Sequence, residues 1–252
     1  LRILKQFNGC CFADLDLKQQ GVIEDFQLLF YIIQPPTPER VKYDIFDRVN
    51  RGGTPLNKQE MRNALYRGRC TRMLDKLCCS PEFLIATGRS INKERMKDQY
   101  VVLRAIAFLM LHRGEFKDIP ALQYRGDIDD FLARFMVYVN DNAPEKLIVD
   151  YENLFIRCMQ ISYDLLGENG FRFSGNGIRR PINMPLFEAL SYLFSFVPEK
   201  IDYTWASRLI LDIESVKEEF DDSRYFSGNI DSTTSVSFRF DRMDKIINRI
   251  QL

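Results

Sequence analysis

The chain has 252 residues, of which 46% are hydrophobic and 13% aromatic, enough for a packed core and too many for wholesale disorder. Lys plus Arg number 35 and Asp plus Glu 35, a formal balance of zero that argues against a polycation wrapping nucleic acid by bulk attraction. The longest apolar stretches, 28–33 and 101–111, are short or carry an arginine, so no membrane span is expected.

Residues 1–9 (LRILKQFNG) place Leu1, Leu4 and Phe7 on one face, as the tail of a helix closed by Gly9. Residues 10–24 mix short apolar and turn types. Residues 26–34 (FQLLFYIIQ) are aromatic and β-branched and stop at Pro35-Pro36, which predicts a strand. Thr37-Pro38-Glu39 then opens a helix. Thr suits the cap, Pro the first turn, and Glu the positive helix end. Val41, Ile45 and Val49, with Phe46 alongside, form its apolar stripe, and Gly52-Gly53 stops it. Asn57 with Glu60 three residues on reads as a capping box, and Leu56 and Met61 are spaced as a hydrophobic staple, so a second helix follows to about Gly68. Beyond it, 71–79, 94–112, 128–140, 145–166, 185–197, 203–220 and 239–251 all repeat apolar residues at three- and four-residue spacing. Asn142-Ala143-Pro144 and the glycine-rich 167–177 mark breaks. The fold class expected is mainly α, a helical bundle-like body with a short strand-bearing N-terminal edge.

Chemistry-bearing motifs are few. Six cysteines include two vicinal pairs but no CxxC, and His112 is the sole histidine, so a Cys/His metal site is not expected. No secretory leader is visible, which points to reduced thiols and a cytoplasmic protein. His112, at a helix end before Arg113-Gly114, reads as a cap rather than a catalyst. Asp129-Asp130 and Asp221-Asp222 are adjacent and do not face one another on a helix, so neither is a good metal pair.

Charge is uneven along the chain. Residues 40–76 hold ten basic and four acidic side chains, so a polyanion should prefer that segment. Its centre, 45–68, sets Arg48, Arg51, Lys58, Arg62, Arg67 and Arg69 around Gly52-Gly53, whose amides suit an anion. The same residues also read as a tight helix–loop–helix corner. In 171–188, Arg172, Arg179 and Arg180 flank a Ser-Gly-Asn-Gly loop beside Phe171 and Phe173, a candidate phosphate or base contact, or else an exposed basic loop. The hydroxyl-rich 226–240, ending near Arg239, reads more simply as a polar connection.

The run IFDRVNRGGTPLNKQEMRNALYRG (45–68) resembles the signature of the domain-of-unknown-function family 262. That family is related to the ParB/sulfiredoxin-like superfamily and to the GmrS half of GmrSD modification-dependent restriction systems. Ile45, Phe46, Arg48, Asn50, Gly52, Gly53, Leu56, Glu60, Arg62, Asn63 and Ala64 match its pattern. Residues 103–109 (LRAIAFL), 171–190 and 232–240 (STTSVSFRF) resemble later family segments in the same order.

The resemblance implies that residues 1–69 are the remnant of a ParB-like α+β domain with a helix–Gly-Gly–helix corner, and 70–252 a helical domain. It implies the C-terminal helical portion of a nuclease or nucleotidase of the restriction or anti-phage defence type. The family's Asp-Gly-Gln-Gln-Arg loop would fall before Leu1, so the chain is expected to be inactive by itself. Its expected partner is then a preceding segment of the same protein, with DNA as a candidate ligand. No cofactor is expected in this chain, and a nucleotide or divalent metal only in the whole protein. The phosphate or nucleic-acid contacts implied are Arg48, Asn50, Arg51, Gly52, Gly53, Arg62, Arg179 and Arg180. Neutral charge and abundant aromatics suit an alternative equally, a helical protein-interaction scaffold without a nucleic-acid role.

Overall fold

The structure, a computed structural model, describes residues 4–30, 32, 34, 36–37, 39–50, 55–174, 179–198, 200 and 202–250. Among them every regular element is helical. The α-helices are α1 (Leu17–Glu24), α2 (Glu39–Asn50), α3 (Lys58–Leu65), α4 (Arg69–Cys78), α5 (Pro81–Ala86), α6 (Lys97–His112), α7 (Ile128–Asp141), α8 (Glu145–Leu166), α9 (Met184–Phe194), α10 (Tyr203–Asp221) and α11 (Thr233–Ile250). The chain divides into two compact units, Leu1–Ile45 and Phe46–Leu252. Residues 46–69, grouped with the N-terminal region in the sequence reading, thus fall in the second unit.

Among the described residues of the first unit the expected strand edge is not found. Residues 26–30, 32 and 34 carry no strand, and Phe26, Leu28, Leu29, Phe30 and Ile32 are 66% to 80% exposed. β propensity expresses packing against neighbouring strands, and an unpaired segment has no ladder to satisfy its amides. Residues 5–7 form a 3₁₀ turn, the start of the expected helix tail at Leu1 lies outside the described residues, and Gly9 takes the left-handed φ of +83° expected of a stop. Helix α1, not foreseen, is set by Asp16, whose carboxylate accepts from the Gln19 amide at 2.8 Å while the Gln19 side chain returns to Asp16 N.

The second unit is organised around α6 and α9, which pack on each other. Residues Val101–Met110 are all buried, as are Pro185–Phe194. A helix apolar on every side belongs at the centre of a layer, not on its surface. Around this pair, α4, α7 and α8 cover α6, while α8 and α11 cover α9. Their buried faces follow the expected stripes, such as Ile128, Phe131, Leu132, Phe135 and Val139 on α7 and Met243, Ile246 and Ile247 on α11.

The core contains an ionic knot. Glu188 of α9 is fully buried and accepts from Arg104 Nε of α6 and from Arg239 Nη2 of α11, the latter at 2.6 Å. Arg104 Nη2 also meets Asp231 Oδ1 at 2.6 Å, and Arg239 Nη1 donates to the Ile230 carbonyl at 2.7 Å. Buried charge persists only when paired in this way. Arg239 therefore belongs to the core. The neighbouring hydroxyls are structural too. Ser232 Oγ accepts from the Ser235 amide at 3.1 Å, which starts α11 at Thr233, six residues before the expected boundary. No helix among the described residues is long and apolar enough to cross a membrane.

Candidate functional site

The segment with the family-like run contributes α3 to a groove of about 500 Å³. Its other walls come from the turn before α6 (Asn92, Glu94, Arg95, Met96), from Lys97 and Tyr100 of α6, and from Asp129 of α7.

The α3 terminus is built as its sequence requires. Asn57 Oδ1 accepts from the amides of Gln59 (2.8 Å) and Glu60 (2.9 Å), and Glu60 Oε2 accepts from Asn57 N at 2.6 Å. The capping box is therefore present, and Met61 is buried as a staple position should be. Asn57 Nδ2 also donates to the Arg95 carbonyl at 2.7 Å. Arg95 and Met96 both occupy the left-handed region, at φ 56° and 58°, which side-chain-bearing residues adopt at a penalty. Beyond the Asn57 bond, the turn is clamped from α3. Arg95 Nη2 donates to Glu60 Oε2 (3.0 Å) and to the Pro55 carbonyl (2.6 Å), and Asn63 Nδ2 to Met96 Sδ (3.1 Å). The Arg95 hydrogen bond, with that from Asn57 N, holds the Glu60 carboxyl below the usual glutamate range.

Arg62 sits at the groove's inner wall and is only 1% exposed. Nε donates to Gln59 Oε1 (3.0 Å) and Nη1 to Asp129 Oδ1 (2.8 Å), while Cζ lies 5.3 Å from the Tyr100 ring centroid. Asp129 also accepts from Lys58 Nζ. Burial by itself would raise the Asp129 carboxyl, but the Lys58 and Arg62 hydrogen bonds and charges bring it below its ordinary value. Four cations, Lys58, Arg62, Arg95 and Lys97, thus line a groove with two carboxylates, Glu94 and Asp129, and Glu60 stands behind Arg95. The surplus is positive.

The other expected contacts are placed differently. Arg48 is exposed on α2, the side chain of Asn50 lies outside the description, and Arg51, Gly52 and Gly53 lie outside the described residues, as do Gly175, Asn176 and Gly177. Arg179 is paired with Glu168 at 2.7 Å. Arg180 is paired with Asp221, and its Cζ lies 5.3 Å from the Phe173 ring centroid. Neither Arg179 nor Arg180 lines the groove with Arg62. Arg172, also noted in that loop, is buried and donates to the carbonyls of Glu168 (3.2 Å) and Thr87 (3.1 Å), a structural use.

Asn92, Glu94, Arg95, Met96, Lys97, Tyr100 and Asp129 are groove residues to which sequence reasoning gave no part in a site. They lie in two segments far from 45–68, and nothing local marks them. His112 ends α6 but is no simple cap, because its ring stacks on Phe240 at 3.6 Å in the core. Burial, followed by the neighbouring Arg239 charge, lowers its pKa to about 3. Among the described residues, no three or more His, Cys, Asp or Glu side chains gather as a metal site would require. A second hollow, between α10 and α11, has its arginines tied up, Arg242 with Glu219 and Arg249 with Asp212. Comparison with protein-family models, with curated proteins and with solved structures finds no match to this chain.

Proposed function

We propose that the chain is the helical portion of a nucleic-acid-directed nuclease or nucleotidase of the restriction or anti-phage kind, related to the domain-of-unknown-function family 262. Its own part is to present a cationic groove to the nucleic acid. One observation carries the reading. Arg62, inside the family-like run, is held by Gln59 and Asp129 in a groove where four cations, Lys58, Arg62, Arg95 and Lys97, outnumber three carboxylates, Glu94, Asp129 and the Glu60 behind Arg95. A cationic groove of this kind supplies phosphate attraction, while phosphoryl transfer also needs groups that orient the attacking oxygen. By this reading hydrolysis belongs to the whole protein and not to this chain alone.

The test is duplex DNA binding by the chain at low and moderate salt. Affinity near the non-specific range, on the order of 0.1 mM, should fall as salt rises. The double reversal Lys58→Glu, Lys97→Glu should weaken it about tenfold or more at low salt. Binding indifferent to salt and to the reversal would overturn the reading, as would DNA cleavage by the purified chain.

A second reading, the protein-interaction scaffold, is favoured by the loop arginines. Arg179 and Arg180 are neutralised by Glu168 and Asp221 and so present little free charge to a phosphate. Under it, DNA binding would be absent at any salt.

A further inference from the structure

Arg62 has hydrogen-bonding capacity that the chain does not use. Nε and Nη1 are satisfied by Gln59 and Asp129, yet Nη2 is buried and has no hydrogen-bond partner among the described residues. A buried donor left without an acceptor is expensive, and folded proteins rarely leave one on a charged group. The obvious acceptors are already committed. Asp129 serves Lys58 as well as Arg62, and Glu60 serves Arg95 and Asn57 N. The Tyr100 ring offers the cation a π face, which is a weaker acceptor than an oxygen. Tyr100 Oη accepts from Arg104 Nη1 at 3.0 Å, which leaves its own proton for a further acceptor. Arg62 and Tyr100, each with a donor proton not committed, thus both line one groove, under a positive surplus to which exposed Lys97 contributes.

The geometry points to a phosphate site in this groove, with Arg62 Nη2 and Tyr100 Oη donating to phosphate oxygens and Lys97 attracting the anion. The proposal rests on the nucleic-acid reading above and names the group bound there. Guanidinium and phosphate match in charge and in fork geometry, which an ammonium does not reproduce. A groove of about 500 Å³ lies within the ordinary size range of small-molecule sites and leaves room for whatever carries the phosphate. Two sources share this chemistry, a free mononucleotide and the backbone of a nucleic-acid strand.

The experiment titrates the intact chain with inorganic phosphate, with adenosine 5′-monophosphate and with a short single-stranded oligonucleotide, read by calorimetry and by the rise in melting temperature. All three should bind and stabilise. Tighter binding of the mononucleotide than of the oligonucleotide assigns the free nucleotide, and the reverse order assigns the strand. Arg62→Lys keeps the charge and removes Nη2, and it should weaken binding of every probe by about tenfold or more. Lys97→Glu, at an exposed position, should weaken all three in the same direction and keeps the test decisive if Arg62→Lys fails to fold. Absence of binding by all three probes, or binding untouched by either substitution, would overturn the site. Salt-dependent duplex binding that survives Arg62→Lys and Lys97→Glu unchanged would also overturn it, while leaving the broader nucleic-acid reading intact.

Discussion

His112 puts an ionisable ring where only its neutral form fits. It stacks on Phe240, lies 5.7 Å from the Tyr192 ring centroid, and has Nε2 buried without a partner. Burial first, and the charge of Arg239 second, lower its pKa to about 3, whereas an unfolded chain titrates it near ~6.5. Between those values the unfolded state binds more protons than the folded state. Stability from this residue is therefore complete above pH ~6.5 and is lost as pH falls toward about 3. Urea unfolding at pH 7 and pH 5 should show the wild type losing stability at the lower pH. His112→Phe, which keeps a ring in the stack, should lose less, and equal losses in the two proteins would contradict the account. As the sole histidine, His112 makes that comparison free of other imidazoles.

At the scale of an element, α3 shows how far local sequence decides structure. Asn57 caps the helix through Oδ1 and holds the Arg95–Met96 turn through Nδ2. Asn57→Ala should cost ~1–2 kcal/mol, since it removes a cap and one further hydrogen bond. Asn57→Asp should recover most of that by restoring only the cap. An unchanged melting curve for Asn57→Ala would refute the cap's energetic role. The box was legible because its two partners are three residues apart. For the same reason the long amphipathic helices α7, α8 and α10 lie within a residue or so of their expected ends. Helix α5 carries a local signal, Ser80 before Pro81, but its six residues are too short for periodicity to register. Residues 26–34 mislead in the opposite direction, because strand-forming side chains do not make a strand without a neighbour to pair with. The groove was legible only at Lys58 and Arg62, basic residues in a recognisable run, and Arg62 shows why the rest was not. Its partner Asp129 is 67 residues away and its ring neighbour Tyr100 is 38 residues away, distances over which no pattern in the chain gives warning.

Across the whole second unit, the buried Glu188 ties three helices together. It is the shared anion of Arg104 on α6 and Arg239 on α11, so no arrangement that undocks one of them leaves the others satisfied. Glu188→Ala leaves two guanidiniums short of an anion in the core and should destabilise by ~3–5 kcal/mol, much of the margin of an ordinary domain. A chemical-denaturation loss under ~1 kcal/mol would show that the knot is dispensable.

The exposed residues 26–30 and 32 bear on how the chain behaves in company. Leu28 to Ile33 contains no charge and no proline, and the residues described within it leave their side chains in water. Short uncharged segments of this kind stack readily, in register, with copies of themselves into cross-β fibrils. A formal charge of zero removes the long-range repulsion that would keep chains apart. Concentrated solutions near neutral pH should therefore scatter light over time and bind an amyloid dye. Leu29→Lys should suppress both without shifting the melting temperature, because Leu29 is 78% exposed and lies outside the packed core. Scattering that proceeds equally in Leu29→Lys would place the sticky surface elsewhere on the molecule.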